Sequence, residues 1–258
     1  MPFGSILAKF EEVDLETADG KRFRIKNNFL TSLGWKIIGI PHVEMRARAR
    51  KIFSFLPKEG RGKKILDAGC GPGIYAGTLG ERGFKVSAID VNVDKVNFLK
   101  RNLNKVNARI ADLKKLPFKD RTFDYLICSD VLEHIKNDKK AFSEMARVLK
   151  KQGILIITVP HISKKNLRDF KRFGHFRVGY SYDDIKKLGE ENSMKIAETS
   201  LYSGKIVERA FELNEKLYKN KFLLAILFYP LYLTIFIEEF LGLDKKRGNG
   251  IAVKFIKN

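Results

Sequence analysis

Ile65-Leu-Asp-Ala-Gly-Cys-Gly-Pro-Gly73, followed one strand later by Val86-Ser-Ala-Ile-Asp90, is the stretch around which the chain is organised. The apolar run through Ile65 and Leu66 predicts a short strand. It breaks into three glycines in five positions, Gly69, Gly71 and Gly73, before a helix expected to begin near Ile74. Without Cβ atoms such a turn takes positive φ, lies close to a ligand and presents helix-start N–H groups to electron-rich atoms. The next strand ends at Asp90, whose carboxylate can accept both hydroxyls of a ribose, as an acidic residue about 20 positions downstream does in dinucleotide folds. The expected ligand is therefore a nucleoside-containing cofactor.

The glycine spacing narrows the choice. The nicotinamide and flavin fingerprint is Gly-x-Gly-x-x-Gly/Ala, but here the third glycine falls one position early and Ile74 stands where the small residue belongs. No Gly-Lys-Ser/Thr follows, so the phosphate-loop pattern fails too. Asp67 adds a negative charge where a pyrophosphate would be repelled, and a cationic ligand suits it better. The combination Asp-x-Gly-Cys-Gly-x-Gly with Asp90 in phase resembles the first signature of class I S-adenosylmethionine-dependent methyltransferases. That resemblance implies S-adenosyl-L-methionine as cofactor, held by Asp67, Gly69, Cys70, Gly71, Gly73, Asp90 and Val91.

Working outward, strands are predicted at 63–68, 85–90, 108–112, 123–130 and 153–160. Helical periodicity lies between them, as in Val96, Leu99 and Leu103 or Ala141, Met145 and Val148. Strand-helix alternation with continuous apolar strands argues for a parallel sheet covered on both faces. Met194 to Tyr202 and Gly250 to Ile256 supply two more strands. The expected fold is α/β: a doubly wound, Rossmann-like sheet of seven strands with the last antiparallel, as the resemblance implies. Ligands in such sheets sit beyond the carboxyl ends of the strands, where the turn 69–73, Asp90, Asp112, Ser129 and Asp130 all fall.

The resemblance extends over roughly residues 42 to 190. Ala111-Asp-Leu-Lys-Lys-Leu-Pro-Phe118 is similar to the segment in which this family reads adenine, which implies roles for the Asp112 carboxylate and the Leu113 backbone N–H. Phe123-Asp-Tyr-Leu-Ile-Cys-Ser-Asp-Val-Leu-Glu-His134, Ala146-Arg-Val-Leu149 and Gly153-Ile-Leu-Ile-Ile-Thr-Val-Pro160 look like the subgroup (methyltransferase type 11) that contains the ubiquinone and menaquinone methyltransferases. Lys151-Gln-Gly153 replaces the Pro-Gly-Gly usual there, which puts the local turn geometry in question. Ser129 also falls in the implied cofactor set. The reaction implied is in-line displacement at the cofactor's methyl by an oxygen, nitrogen or carbon nucleophile.

Candidate bases for the acceptor's proton are Asp130, Glu133, His134, His161 and His175, each at or after a strand end, with structural capping or hydrogen bonding as the competing use. Gly174-His-Phe-Arg-Val-Gly-Tyr180 gathers imidazole, guanidinium and phenol where the resembled family places the acceptor, which brings Tyr180 into the candidate set. The four histidines and two cysteines lack ligand spacing, so no metal is expected.

Ahead of the core, residues 11 to 25 form two alternating runs joined at Asp19-Gly20, a hairpin signal, within an accessory segment 1–40 that precedes a methyltransferase domain 41–258. A helix is predicted from Pro41 to before Pro57; on it Arg46 or Arg50 is a candidate to face the cofactor carboxylate. Near the other end, a helical insertion at about 204–248 contains Phe222 to Ile237, 16 positions without a charge. As a helix this is about 24 Å, short of a bilayer span, and Pro230 divides it. Lys216, Lys219 and Lys221 precede it and Lys245, Lys246 and Arg247 follow, so it suits the headgroup layer of an anionic membrane, a lid over the active site or a homodimer face. The layout, with Gly248-Asn-Gly250 opening the last strand, also looks like methyltransferases of cell-surface glycan and lipid pathways.

With 258 residues and 44 % hydrophobic content the chain can bury a full core. Lys and Arg number 50 against 30 acidic residues, a net +20, which attracts anionic partners. A lysine-rich solvated surface of thermophilic type explains the same charge. Cys70 and Cys128 do not form a disulfide framework and no signal-peptide pattern opens the chain, so a cytoplasmic setting is expected, with a peripheral membrane position as an extension. The reading is a methyltransferase acting on a small-molecule or lipid-linked acceptor. Nucleic acid is the alternative partner, as for a tRNA methyltransferase, although Ser129-Asp-Val-Leu132 stands where amino-methylating nucleic-acid enzymes carry Asn/Asp-Pro-Pro-Tyr. A non-catalytic cofactor-binding adaptor is the alternative outside enzymes.

Overall fold

The computed structural model describes residues 12–16, 22–26, 42–162, 175–217, 221–243 and 247–258. Two strands, β1 (Glu12–Glu16) and β2 (Arg22–Lys26), pair antiparallel, with Glu12 opposite Lys26 and Glu16 opposite Arg22. The alternating runs do form a hairpin ladder; the Asp19-Gly20 turn lies outside the described residues.

The seven-stranded sheet contains β3 (Lys64–Ala68), β4 (Lys85–Asp90), β5 (Val106–Ile110), β6 (Phe123–Ser129), β7 (Leu149–Pro160), β8 (Met194–Tyr202) and β9 (Gly250–Lys257), in the order β5-β4-β3-β6-β7-β9-β8. The first five are parallel, and β9 runs antiparallel to both β7 and β8. The order reverses between β3 and β6, so the crevice beyond their carboxyl ends lies at the end of the glycine turn. Helices α1 (Val43–Ser54), α2 (Ile74–Glu81), α3 (Val93–Asn102), α4 (Asp138–Val148) and α5 (Tyr182–Glu190) flank the sheet. Consecutive residues of β3 serve opposite layers: Ile65 packs with Ile74, Leu79 and Leu99, whereas Leu66 packs with Leu126, Phe142 and Met145. Burial on both faces is why this strand carries no polar alternation.

The structure revises the sequence reading at β7, which starts at Leu149 instead of 153. The expected turn at Lys151-Gln-Gly153 is a bulge within the strand: the β6 register steps from Phe123 opposite Leu149 to Tyr125 opposite Ile154. Gln152 adopts φ 59°, and a Cβ on Gly153 would lie 2.8 Å from the Lys150 carbonyl oxygen.

The connection from β8 to β9 contains α6 (Lys205–Leu217) and α7 (Lys221–Phe240), with Pro230 inside α7. Both pack onto α1, through Val207, Ala210, Leu231 and Ile235 against Val43 and Ala47. Buried Glu238 of α7 accepts the Gly204, Ile206 and Val207 N–H groups at 2.6, 3.0 and 3.1 Å, satisfying donors at the start of α6. Among the described residues no helix is long and apolar enough to cross a membrane.

Candidate functional site

Gly69, Gly71 and Gly73 all occupy the left-handed region, with φ of 78°, 52° and 77°. A Cβ on Gly69 would lie 2.4 Å from Val131 Cγ2, and one on Gly73 2.8 Å from Leu99 Cγ, whereas beside Gly71 the space is open. The first and third glycines are thus fixed by packing as well as by conformation, and the middle one leaves bare backbone.

The amides of this turn do not await a ligand, contrary to the sequence reading. Gly69 and Cys70 donate to the Ile89 carbonyl at 2.8 and 2.9 Å, Gly73 to the Cys70 carbonyl at 2.9 Å, and Gly71 to Asp90 Oδ2 at 2.9 Å. At the start of α2 the Ala76 N–H bonds to Asp67, a carboxylate only 1 % exposed. The protein's own carboxyl group therefore serves the helix end that a phosphate would occupy. Burial, reinforced by nearby Asp90, pushes the Asp67 carboxyl up to about 7, and its Oδ2 has no hydrogen-bond partner. Burial also pushes the Cys70 thiol up, so Cys70 contributes backbone and bulk.

Asp90 lies at the end of β4, and its Oδ1 accepts the Asn92 N–H at 2.9 Å. With one backbone donor on each oxygen, lone pairs remain for hydroxyl donors. Val91, next to it, is exposed. Beyond β5, Asp112 accepts the Lys114 N–H at 2.8 Å and pairs with its ammonium at 3.3 Å. The Leu113 side chain is buried in the core, so only its backbone can face a ligand. Ser129 Oγ meets Thr158 Oγ1 at 2.9 Å.

An arginine that sequence reasoning missed reaches the strand ends. Arg48 pairs with Asp130 Oδ2, while Asp130 Oδ1 accepts the Thr158 hydroxyl at 3.1 Å and the Tyr202 hydroxyl at 3.3 Å. Asp130 is held by these partners and is a poor general base. Gly250 has a packing reason as well: a Cβ there would fall 2.1 Å from the Tyr202 ring. Arg46 and Arg50 go elsewhere. Arg46 is buried with its guanidinium 4.5 Å from the Tyr232 ring centroid, and Arg50 bonds Glu239 at 2.6 Å, both on α7. The helix period alone could not select among three arginines spaced by two residues.

Of the His/Arg/Tyr stretch expected to line the acceptor site, the structure describes residues 175–180. Tyr180 is a core residue, which corrects its candidacy as a base: it is fully buried and donates to Asp138 Oδ2 at 2.9 Å. Burial and the Asp138 charge push its hydroxyl far above the ordinary range. Arg177 pairs with the same carboxylate at 3.1 Å. His161 follows β7 and donates its backbone N–H to the Asn249 carbonyl at 2.8 Å. The rings of His134 and His175 meet edge to face, centroids 4.5 Å apart. Burial, then proximity to His134, lowers the His175 imidazole to about 4. Glu133, 1 % exposed, is pushed up by burial to about 7. Glu133, His134 and His175 each offer a ligand atom within 4.8 Å of the others. No sequence spacing signals this cluster, because His175 arrives from a different loop.

The sequence model of the family described as Methyltransferase domain matches residues 66–157. An uncharacterized protein of Methanocaldococcus jannaschii is 34% identical over 152 residues, 58% of this chain and 64% of that protein. The ubiquinone biosynthesis O-methyltransferase of Rickettsia prowazekii is 35% identical over 106 residues, 40% of this chain and 42% of that enzyme. The chain thus spans less than two thirds of the length of either relative. Among solved structures, Haemonchus contortus phosphoethanolamine N-methyltransferase 2, in complex with S-adenosyl-L-methionine, superposes with a TM-score of 0.61 at 19% identity, covering 92% of this chain and 62% of that one. A methyltransferase from Mesorhizobium loti gives 0.58 at 16% identity, covering 82% and 98%. At these identities the two structures speak to the fold alone.

Proposed function

We propose that this chain, which carries a class I S-adenosylmethionine-dependent methyltransferase domain of the type 11 kind, transfers the methyl group of S-adenosyl-L-methionine to a small-molecule acceptor. The observation that carries the reading is the Asp67 cap on α2, with Asp90 at the next strand end. Together they make an acidic cradle that disfavours phosphate and suits a nucleoside bearing positive charge. Asp90 would hold the ribose hydroxyls, Asp112 and the Leu113 backbone the adenine, and the bare backbone surface of Gly69, Cys70, Gly71 and Gly73 the remainder, by close contact and not through their amides, which are already bonded within the protein. Bound there, the cofactor supplies an already activated methyl group, so alignment by these residues can offset roughly 7–11 kcal/mol of the barrier. The acceptor's proton falls to the imidazoles at this end, His134, His161 and His175. Calorimetric titration tests the cofactor: binding of S-adenosyl-L-methionine and its demethylated product supports the reading. Binding of a nicotinamide dinucleotide or nucleoside triphosphate instead would reject it.

The finer reading is a lipid-linked acceptor met at the cytoplasmic surface of an anionic membrane. Exposed Leu233, Ile237, Phe240 and Leu241 on and after α7, and the net charge of +20, support it. Because α6 and α7 cover Val43 and Ala47 of α1, point changes test this better than deletion. Sedimentation with anionic vesicles should be lost in Ile237→Glu/Phe240→Glu. If the variant instead dissociates a dimer and wild type ignores vesicles, this face is a contact between copies.

A further inference from the structure

We infer that Glu133, His134 and His175 form a binding site for a first-row divalent cation, with Zn²⁺ the closest match to a carboxylate and two imidazoles. The ligand atoms of the three lie within 4.8 Å of one another, close enough for small side-chain rotations to bring them onto one ion. Glu133 is 1 % exposed, and its Oε2 has no hydrogen-bond partner, so a buried acceptor oxygen lies at the cluster with its capacity unused.

The backbone builds the cluster. Leu132–His134 forms a short 3₁₀ turn after β6, and the Glu133 carbonyl accepts N–H bonds from Phe176 at 2.7 Å and Arg177 at 3.4 Å. That strap fixes His175 across from His134, the two rings lying nearly perpendicular at 86°. The guanidinium groups nearby are committed to other carboxylates, Arg177 to Asp138 and Arg48 to Asp130. Exposure of His134 leaves one side open for a water or an exogenous oxygen, the arrangement of three protein ligands that catalytic cation sites share.

Resting on the methyl-transfer reading, the site further selects an oxygen acceptor. Coordination would weaken the acceptor O–H, so that the proton leaves to solvent in place of the His134 and His175 imidazoles that the ion occupies. The oxygen lone pair would then form the bond to the methyl carbon as its bond to the cofactor's sulfur breaks and the neutral thioether departs. The cation site itself stands apart from that chemistry.

Untagged full-length protein titrated with Zn²⁺ should bind one ion per chain. Co²⁺ in its place should give visible ligand-field bands that Zn²⁺ abolishes. His134→Ala, a change at an exposed position, and His175→Ala should each weaken binding by ~100-fold, with Glu133→Gln weakening it too and His161→Ala leaving it unchanged. Absence of saturable binding, or wild-type affinity in His134→Ala, overturns the assignment. Parallel titration with S-adenosyl-L-methionine in chelator separates the two claims: cofactor binding without metal binding rejects only the cation site.

Discussion

Asp90 Oδ2 accepts the Gly71 N–H at 2.9 Å, so the carboxylate at the end of the second core strand shapes the glycine turn at the end of the first. One side chain thereby couples turn geometry to the proposed ribose contact. Asp90→Ala should lower cofactor affinity by ~100-fold, the order expected from losing charge-assisted hydrogen bonds. Calorimetry showing unchanged affinity would reject the ribose assignment.

Asp67 predicts a pH dependence. Its folded-state value of about 7 lies above the unfolded value, so the native chain holds the extra proton between them. Stability therefore falls as pH rises from about 4 to about 7. Asp67→Asn should remove this share of the decline, leaving that of Glu133. Urea midpoints measured across the window check it; an unaltered slope in the variant would count against a buried, protonated Asp67.

His42 acts in the opposite sense. Its Nδ1 accepts the Met45 N–H at 3.1 Å as the N-cap of α1, and burial, then Arg48, lowers the imidazole to about 3. The unfolded chain protonates first, so this contribution is full above about 6.5 and is lost as pH falls toward 3. His42→Asn keeps a capping side chain that does not titrate, and should flatten the acid side of the thermal stability profile.

Glu238→Ala should destabilise by about 3 kcal/mol, because three N–H groups at the start of α6 lose a carboxylate and two of them are buried. Glu238→Gln keeps an acceptor oxygen and should cost less. Chemical denaturation of both variants, giving the order wild type, Gln, Ala, checks the cap.

How far the sequence was legible follows from the physics of each element. The β3 turn and the strand ends were readable because positive φ and two-sided burial restrict residue types strongly. The β7 bulge was not, since a Lys-Gln-Gly run serves a turn and an in-strand bulge equally well. Arg48 was passed over for Arg46 and Arg50 because only the rotation of α1, set by packing against α6 and α7, decides which guanidinium reaches Asp130. Tyr180 was taken for an acceptor-site phenol because its partner, Asp138, is 42 residues away in sequence. The Glu133, His134 and His175 cluster escaped for a like reason: backbone bonds from Phe176 and Arg177 assemble it, and such bonds leave no residue signature.

The position of β9 between β7 and β8 has a consequence for synthesis. Among the described residues β8 has β9 as its sole ladder partner, so while the ribosome still holds residues 250–257, the segment 194–202 has emerged with both edges bare. The five parallel strands can assemble during translation, whereas closure of this edge waits for the last strand to thread in. A nascent chain stalled near α7 should therefore recruit chaperones through β8.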